Sequence, residues 1–177
     1  MSYDKIVGAD FDTKTRRPVF SISVEALEGA GKSCFALLGA PPPIVHVNFS
    51  DRDATMFLYD MTEERRKQTT LYNFHAPSST GWTRAEGHES LVELSKIARE
   101  HLENKALAGG TFIIDSGSSW WEVVQECYVA PEQEKREAGG GKKTGGLEYM
   151  QGNLIVGGVV SWIKNQGAYV ILTHRKT

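Results

Sequence analysis

The chain has 177 residues, 40% of them hydrophobic and 24% charged, which suits a single soluble globular domain able to bury a sizeable core. Its formal net charge of -2 excludes a strongly basic nucleic-acid coat or a polybasic membrane binder as an overall identity. No run approaches the roughly 20 apolar residues of a membrane span, and residues 1–12 lack the order and cleavage site of a secretory signal, so a cytoplasmic protein with no membrane partner is expected.

Residues 1–17 form a polar lead-in, and residues 18–24 (PVFSISV) are strand-like. They run into a glycine-rich turn that opens a helix of about two to three turns, ended by Gly39 and the triple proline from Pro41 to Pro43. Residues 44–49 are a second strand, followed by the acidic turn Asp51-Arg52-Asp53. A charged helical face spans 61–70, a third short strand 71–74, and a loop of Pro, Ser, Thr and Gly 76–82. Leu91, Leu94, Ile97, Ala98 and Leu102 then recur at three- and four-residue steps, the mark of an amphipathic helix, which Gly109 and Gly110 stop. Residues 111–114 are an uninterrupted apolar strand ended by Asp115, as expected of a strand buried on both faces.

Residues 120–129 are predicted helical. Residues 131–146 differ in kind, being rich in glycine and charge with no apolar side chain larger than alanine, and are expected to form a mobile loop. Residues 147–164 are again helical, and 168–172 form a final strand running into Thr173-His174-Arg175. This alternation predicts an α/β fold with a mostly parallel sheet and one domain over residues 1–177. A parallel sheet whose last strand ends at the last residue is also expected to belong to a C-terminally truncated chain.

The strongest chemical signal is Ala26-Leu-Glu28-Gly29-Ala30-Gly31-Lys32-Ser33, which fits the P-loop pattern with Ala26 in place of its usual first glycine. Successive backbone N–H groups at a helix N-terminus form an anion cradle, to which Lys32 adds a cation for the β- and γ-phosphates and Ser33 a hydroxyl for Mg²⁺. The expected nucleotide-binding set is Glu28, Gly29, Ala30, Gly31, Lys32, Ser33 and Cys34. Asp115, at the end of its apolar strand, would emerge beside that loop and hold Mg²⁺ in a Walker B arrangement, although it could also be a helix cap. Asp51 could orient the water that attacks the γ-phosphate and is preferred to Asp53 because it is nearer the strand end; the alternative is a turn or cap aspartate.

Thr173 and His174 could sense the γ-phosphate, and Arg175 or Lys176 is a weaker candidate for a charge-stabilising finger. Lys135, Arg136, Lys142 and Lys143 could meet nucleic-acid phosphates, diluted by Glu132, Glu134 and Glu137, or the segment could be a solvated insertion. Trp120 and Trp121 could stack on bases but suit a core better. Cys34 and Cys127 read as reduced packing thiols, and His46, His75, His88 and His101 form no pair at metal-ligand spacing.

The order of strand, P-loop 28–33, second strand with Asp51 and Arg52, strand with Ile113-Ile114-Asp115-Ser116, and last strand with Leu172-Thr173-His174 resembles the RecA-like core of phage-encoded P-loop ATPases. It is most similar to the core-only RecA/KaiC-type group, some of which act in single-strand annealing and recombination. The resemblance covers about residues 18–175, though its specific part is four short motifs. It implies a three-layer α/β/α P-loop NTPase that binds ATP and Mg²⁺, hydrolyses ATP, and couples hydrolysis to single-stranded DNA in the host cytoplasm, often as a homo-oligomer. It assigns Lys32, Asp51 and Asp115 to catalysis, Ser33 and Asp115 to the metal, and Thr173 and His174 to sensing. Ala26, and Asp51 where RecA has Glu, depart from the family pattern. A nucleotide-gated DNA- or protein-binding module with negligible hydrolysis is the alternative. A small-molecule or nucleotide kinase would want an Arg-rich lid, for which residues 132–146 are too acidic and glycine-rich.

Overall fold

The β-branched and apolar runs form strands β1 (Ser21–Ala26), β2 (Ile44–Asn48), β3 (Thr69–Asn73), β4 (Thr111–Asp115) and β5 (Tyr169–Arg175). They lie in one sheet in the order β1-β5-β4-β2-β3, every pairing parallel. This is a computed structural model, and it describes residues 19–49, 53–75, 81–103, 106–140 and 147–176. The polar lead-in, Asp51, Arg52, Lys142 and Lys143 lie outside those residues.

Every residue of β2 and β4 is buried, as a parallel strand covered on both faces requires. Alternation then sorts their side chains into two cores. Ile44, Ile113 and Ile171 face helix α1 (Lys32–Gly39), packing with Ala36, Leu37 and Met61. Val45, Val47, Phe112, Ile114 and Val170 face the opposite layer, built from α3 (Arg84–Leu102), α4 (Gly117–Val124) and α6 (Leu147–Asn165). Leu94, Ile97, Ala98 and Leu102 of α3 are buried there, which is the stripe its spacing predicts. Each fully buried aliphatic side chain contributes on the order of 1.5–3 kcal/mol. The result is helix, sheet, helix in three layers. Among the described residues, no helix is long and apolar enough to cross a membrane.

Three segments differ from the sequence expectation. The third strand is Thr69–Asn73 rather than 71–74, the charged stretch 61–70 shortens to α2 (Glu63–Lys67), and a 3₁₀ helix (Ala54–Asp60) precedes it. The reason is tertiary: Arg65 of α2 donates to the carbonyls of Leu37 at 2.6 Å and Ala40 at 2.5 Å, satisfying acceptors left open at the end of α1. The larger correction concerns residues 131–138, expected as part of a mobile loop, which form helix α5 (Ala130–Ala138). It continues from α4 through a π-helical turn at Gln125–Val129, and Pro131 stands in its first turn. A proline there has no N–H to give and crowds the carbonyl four residues back, and a wider turn just before it relieves both demands.

Trp120 and Trp121 are packing residues in this fold. Trp120 is buried between the sheet and its helices, and Trp121 lies against the backbone of α6 at Gly152.

Candidate functional site

The loop between β1 and α1 has the shape its glycines imply. Gly29 and Gly31 adopt φ of +77° and +81°, left-handed backbone that a side chain would strain, and Gly31 is the residue that opens α1. The Lys32 ammonium donates to the carbonyls of Ala26 and Leu27, each at 2.8 Å, so the lysine arches over the loop rather than extending into solvent. Glu28, Gly29, Gly31, Lys32, Ser33 and Cys34 line one wall of a cleft of about 220 Å³ at the C-terminal edge of the sheet. Its other walls include Asn48, Met56, Phe57, Asp115, Ser116 and Arg175. Two wider concavities, of about 730 Å³ between α3 and α6 and about 610 Å³ beside Trp82, hold none of the predicted site residues.

Asp115 ends β4 at the floor of this cleft, 4% exposed, joined to Ser116 by a cis peptide bond. Register brings its partners. Asn48 of β2 lies opposite Asp115, and Thr173 of β5 follows Leu172, which pairs with Ile114. The Thr173 hydroxyl donates to Asp115 Oδ1. On the other side His46 Nε2 stands 3.4 Å from Asp115 Oδ2, and Ser33 of α1 lines the cleft together with that carboxylate. Burial pushes the Asp115 carboxyl up, but the interactions from His46, Ser33 and Thr173 outweigh it and hold the group below its ordinary value. An ionised carboxylate beside a hydroxyl and an anion cradle is a donor set that suits a hard divalent cation.

The cap reading of Asp115 does not describe the fold, because the cap of α4 is Ser116, whose side chain accepts from Ser119 N–H. The cap reading does describe Asp53. Its carboxylate accepts from Thr55 N–H at 2.9 Å and from Asn73 Nδ2 at 2.9 Å, and these bonds hold it below its usual range. Asn48 in turn donates to Asn73 at 2.9 Å, so a polar chain Asn48–Asn73–Asp53 ties the ends of β2 and β3 to the 3₁₀ helix.

Thr173 and His174 part company, as neighbours on a strand must. Thr173 is buried against Asp115, whereas His174 faces the opposite layer, where its ring would lie 2.8 Å from a Cβ placed on Gly117. Lys135 sits on α5, paired with Glu132 at 2.7 Å, and Arg136 is on the same helix, away from the cleft. The sequence reading missed His46, Asn48 and Asn73 as neighbours of the site. For His46 a signal existed: one ring sits between two valines in a doubly buried strand.

No protein-family model matches the chain, and no curated protein matches it. Among solved structures it is similar to an ATPase of the type III secretion system of pathogenic bacteria, with a TM-score of 0.53 and 14% identity over 89% of this chain and 44% of the other. It is equally similar to the assembled ATPase EscN, in complex with its central stalk EscO, from enteropathogenic E. coli, at TM-score 0.53 and 14% identity, covering 89% of this chain and 38% of that one. The RadB recombinase aligns at TM-score 0.47 with 14% identity, over 89% of this chain and 61% of the recombinase. The chain thus spans less than half the length of either ATPase it matches. Sheet order, layers and the likeness to the two ATPase structures together show that the chain has a three-layer α/β/α P-loop fold.

Proposed function

We propose that the chain binds ATP with Mg²⁺ between the P-loop and Asp115 and hydrolyses it. The observation that carries this reading is that Ser33 of the P-loop and Asp115, distant in sequence, line the same cleft at the C-terminal edge of the sheet. When bound, Mg²⁺ would neutralise charge on the β- and γ-phosphates. Ser33 and Asp115 would hold it. The loop amides from Glu28 to Cys34 cradle the phosphates, and Lys32 exchanges the carbonyls of Ala26 and Leu27 for phosphate oxygens. Asp51, outside the described residues, is assigned the water-orienting role on the sequence resemblance alone. Thr173, on Asp115 Oδ1, is the sensor-position residue that faces the site.

We further infer that hydrolysis is coupled to single-stranded DNA in a phage recombination or annealing role, with Lys135, Arg136, Lys142 and Lys143 as the DNA contacts and a homo-oligomer as the working form. The support is the resemblance of the motifs and the clustering of these cations in one segment. Phosphate release from Mg²⁺·ATP tests both levels. Turnover is expected in the wild type, stimulated by single-stranded DNA, and lower by at least about 100-fold in Lys32→Ala and Asp51→Asn. Turnover indifferent to DNA removes the coupling but leaves the ATPase; nucleotide binding with no turnover in any sample supports the gated binding module.

A further inference from the structure

His46 occupies the centre of β2 and is fully buried among Ile44, Ile113 and the α1 layer. A buried ring nitrogen without a partner is costly, and a valine or isoleucine would fill this strand position without that cost. Yet neither His46 nitrogen makes a well-formed hydrogen bond among the described residues. The polar group within reach is Asp115 Oδ2, 3.4 Å from Nε2, while Thr173 occupies Oδ1 from the opposite strand. The carboxylate is therefore flanked from β2 and from β5. Only its outward side, toward Ser33 and the cleft, is left for a ligand.

We propose that His46 is a positioning residue: it carries its proton on Nε2 and donates it to Asp115 Oδ2, fixing the rotamer in which the carboxylate meets Mg²⁺ bound with nucleotide. This rests on the nucleotide-binding reading of the cleft. With Mg²⁺ bound, His46 would act as the outer partner that metal-bound carboxylates usually have.

The test uses two substitutions of nearly equal shape, His46→Gln, which keeps a donor, and His46→Met, which does not. The readout is the affinity for a fluorescent ATP analogue with and without Mg²⁺, on protein whose fold is checked by circular dichroism. Expected is a tightening by Mg²⁺ in the wild type that His46→Gln largely keeps and His46→Met reduces by about tenfold or more. In parallel, nitrogen-15 NMR of the wild type, with the His46 signals assigned by their loss in His46→Gln, is expected to show the Nε2–H tautomer. This second measurement decides the matter even if His46→Met does not fold. A folded His46→Met that tightens with Mg²⁺ like the wild type, or an Nδ1–H tautomer, overturns the role of His46 and leaves the cleft's function standing. A wild type that binds no nucleotide overturns the nucleotide reading, and the His46 role with it.

Discussion

At Gly110 a Cβ would come within 2.4 Å of the Pro43 carbonyl oxygen and 2.9 Å of the Pro43 ring, because β4 starts where the proline turn crosses it. Backbone cannot yield as a flexible side chain can, so Gly110→Ala should lower stability by about 1–3 kcal/mol in urea unfolding. Gly39→Ala meets nothing within 4 Å at the end of α1 and should be neutral or slightly stabilising. The reverse order would contradict the placement of the proline turn. His174 gives a second prediction at this scale. Burial holds its imidazole below the ordinary value of 6.5, partly opposed by Glu25. The unfolded chain then takes up that proton first. The stabilisation is therefore fully present above the ordinary histidine pKa and is lost as pH falls through it toward the depressed folded value. Denaturation midpoints measured from about pH 7.5 down to about pH 5 should show a decline that His174→Gln flattens; an unchanged slope would mean the ring titrates as if free. Residues of the P-loop were legible in the sequence because their chemistry is local, a glycine pattern at a strand-to-helix junction. The contacts of Asp115 were not, since His46 and Thr173 reach it only through the register of β2 and β5.

Among the elements, α3 begins with a capping box in which the Thr83 hydroxyl accepts from Glu86 N–H and the Glu86 carboxylate accepts from Thr83 N–H. Removing it by Thr83→Ala should cost about 1 kcal/mol in chemical unfolding. The same helix end secures α5, which composition had assigned to a mobile loop. Arg84 donates to the Glu126 carbonyl at 3.3 Å and to the Glu134 carboxylate at 2.8 Å, tying the first turn of α3 to the π turn and to α5. None of the residues of α5 is buried, so this tie from Arg84 is a main link to the helix layer. Arg84→Ala should therefore raise hydrogen exchange of the amides in 130–138 well above that in α3, and equal protection in both proteins would show that α5 stands without it. A helix with no buried residue leaves no periodic apolar stripe to read. By contrast α3, β2 and β4 carry their burial in their own spacing; the sequence located β2 and β4 to within a residue and the buried stripe of α3, although that helix ends at Leu102 and not at Gly109.

For the whole molecule, the alternation of strand and helix sufficed for the class of fold, with both faces of the sheet covered. Strand order did not follow from the sequence, because nothing local tells β5 to insert between β1 and β4. That insertion brings Thr173 beside Asp115 while the P-loop reaches the same edge from β1. The cleft is thus a property of the assembled sheet and of no single segment. Its occupancy by nucleotide is most directly tested by calorimetric titration of ATP in Mg²⁺ into the wild type and Lys32→Ala. One-to-one binding in the wild type, weakened by at least about tenfold in the variant through loss of a charged hydrogen bond, is the expected result. Equal affinity in the two proteins, or no binding in the wild type, would contradict a phosphate site at the P-loop.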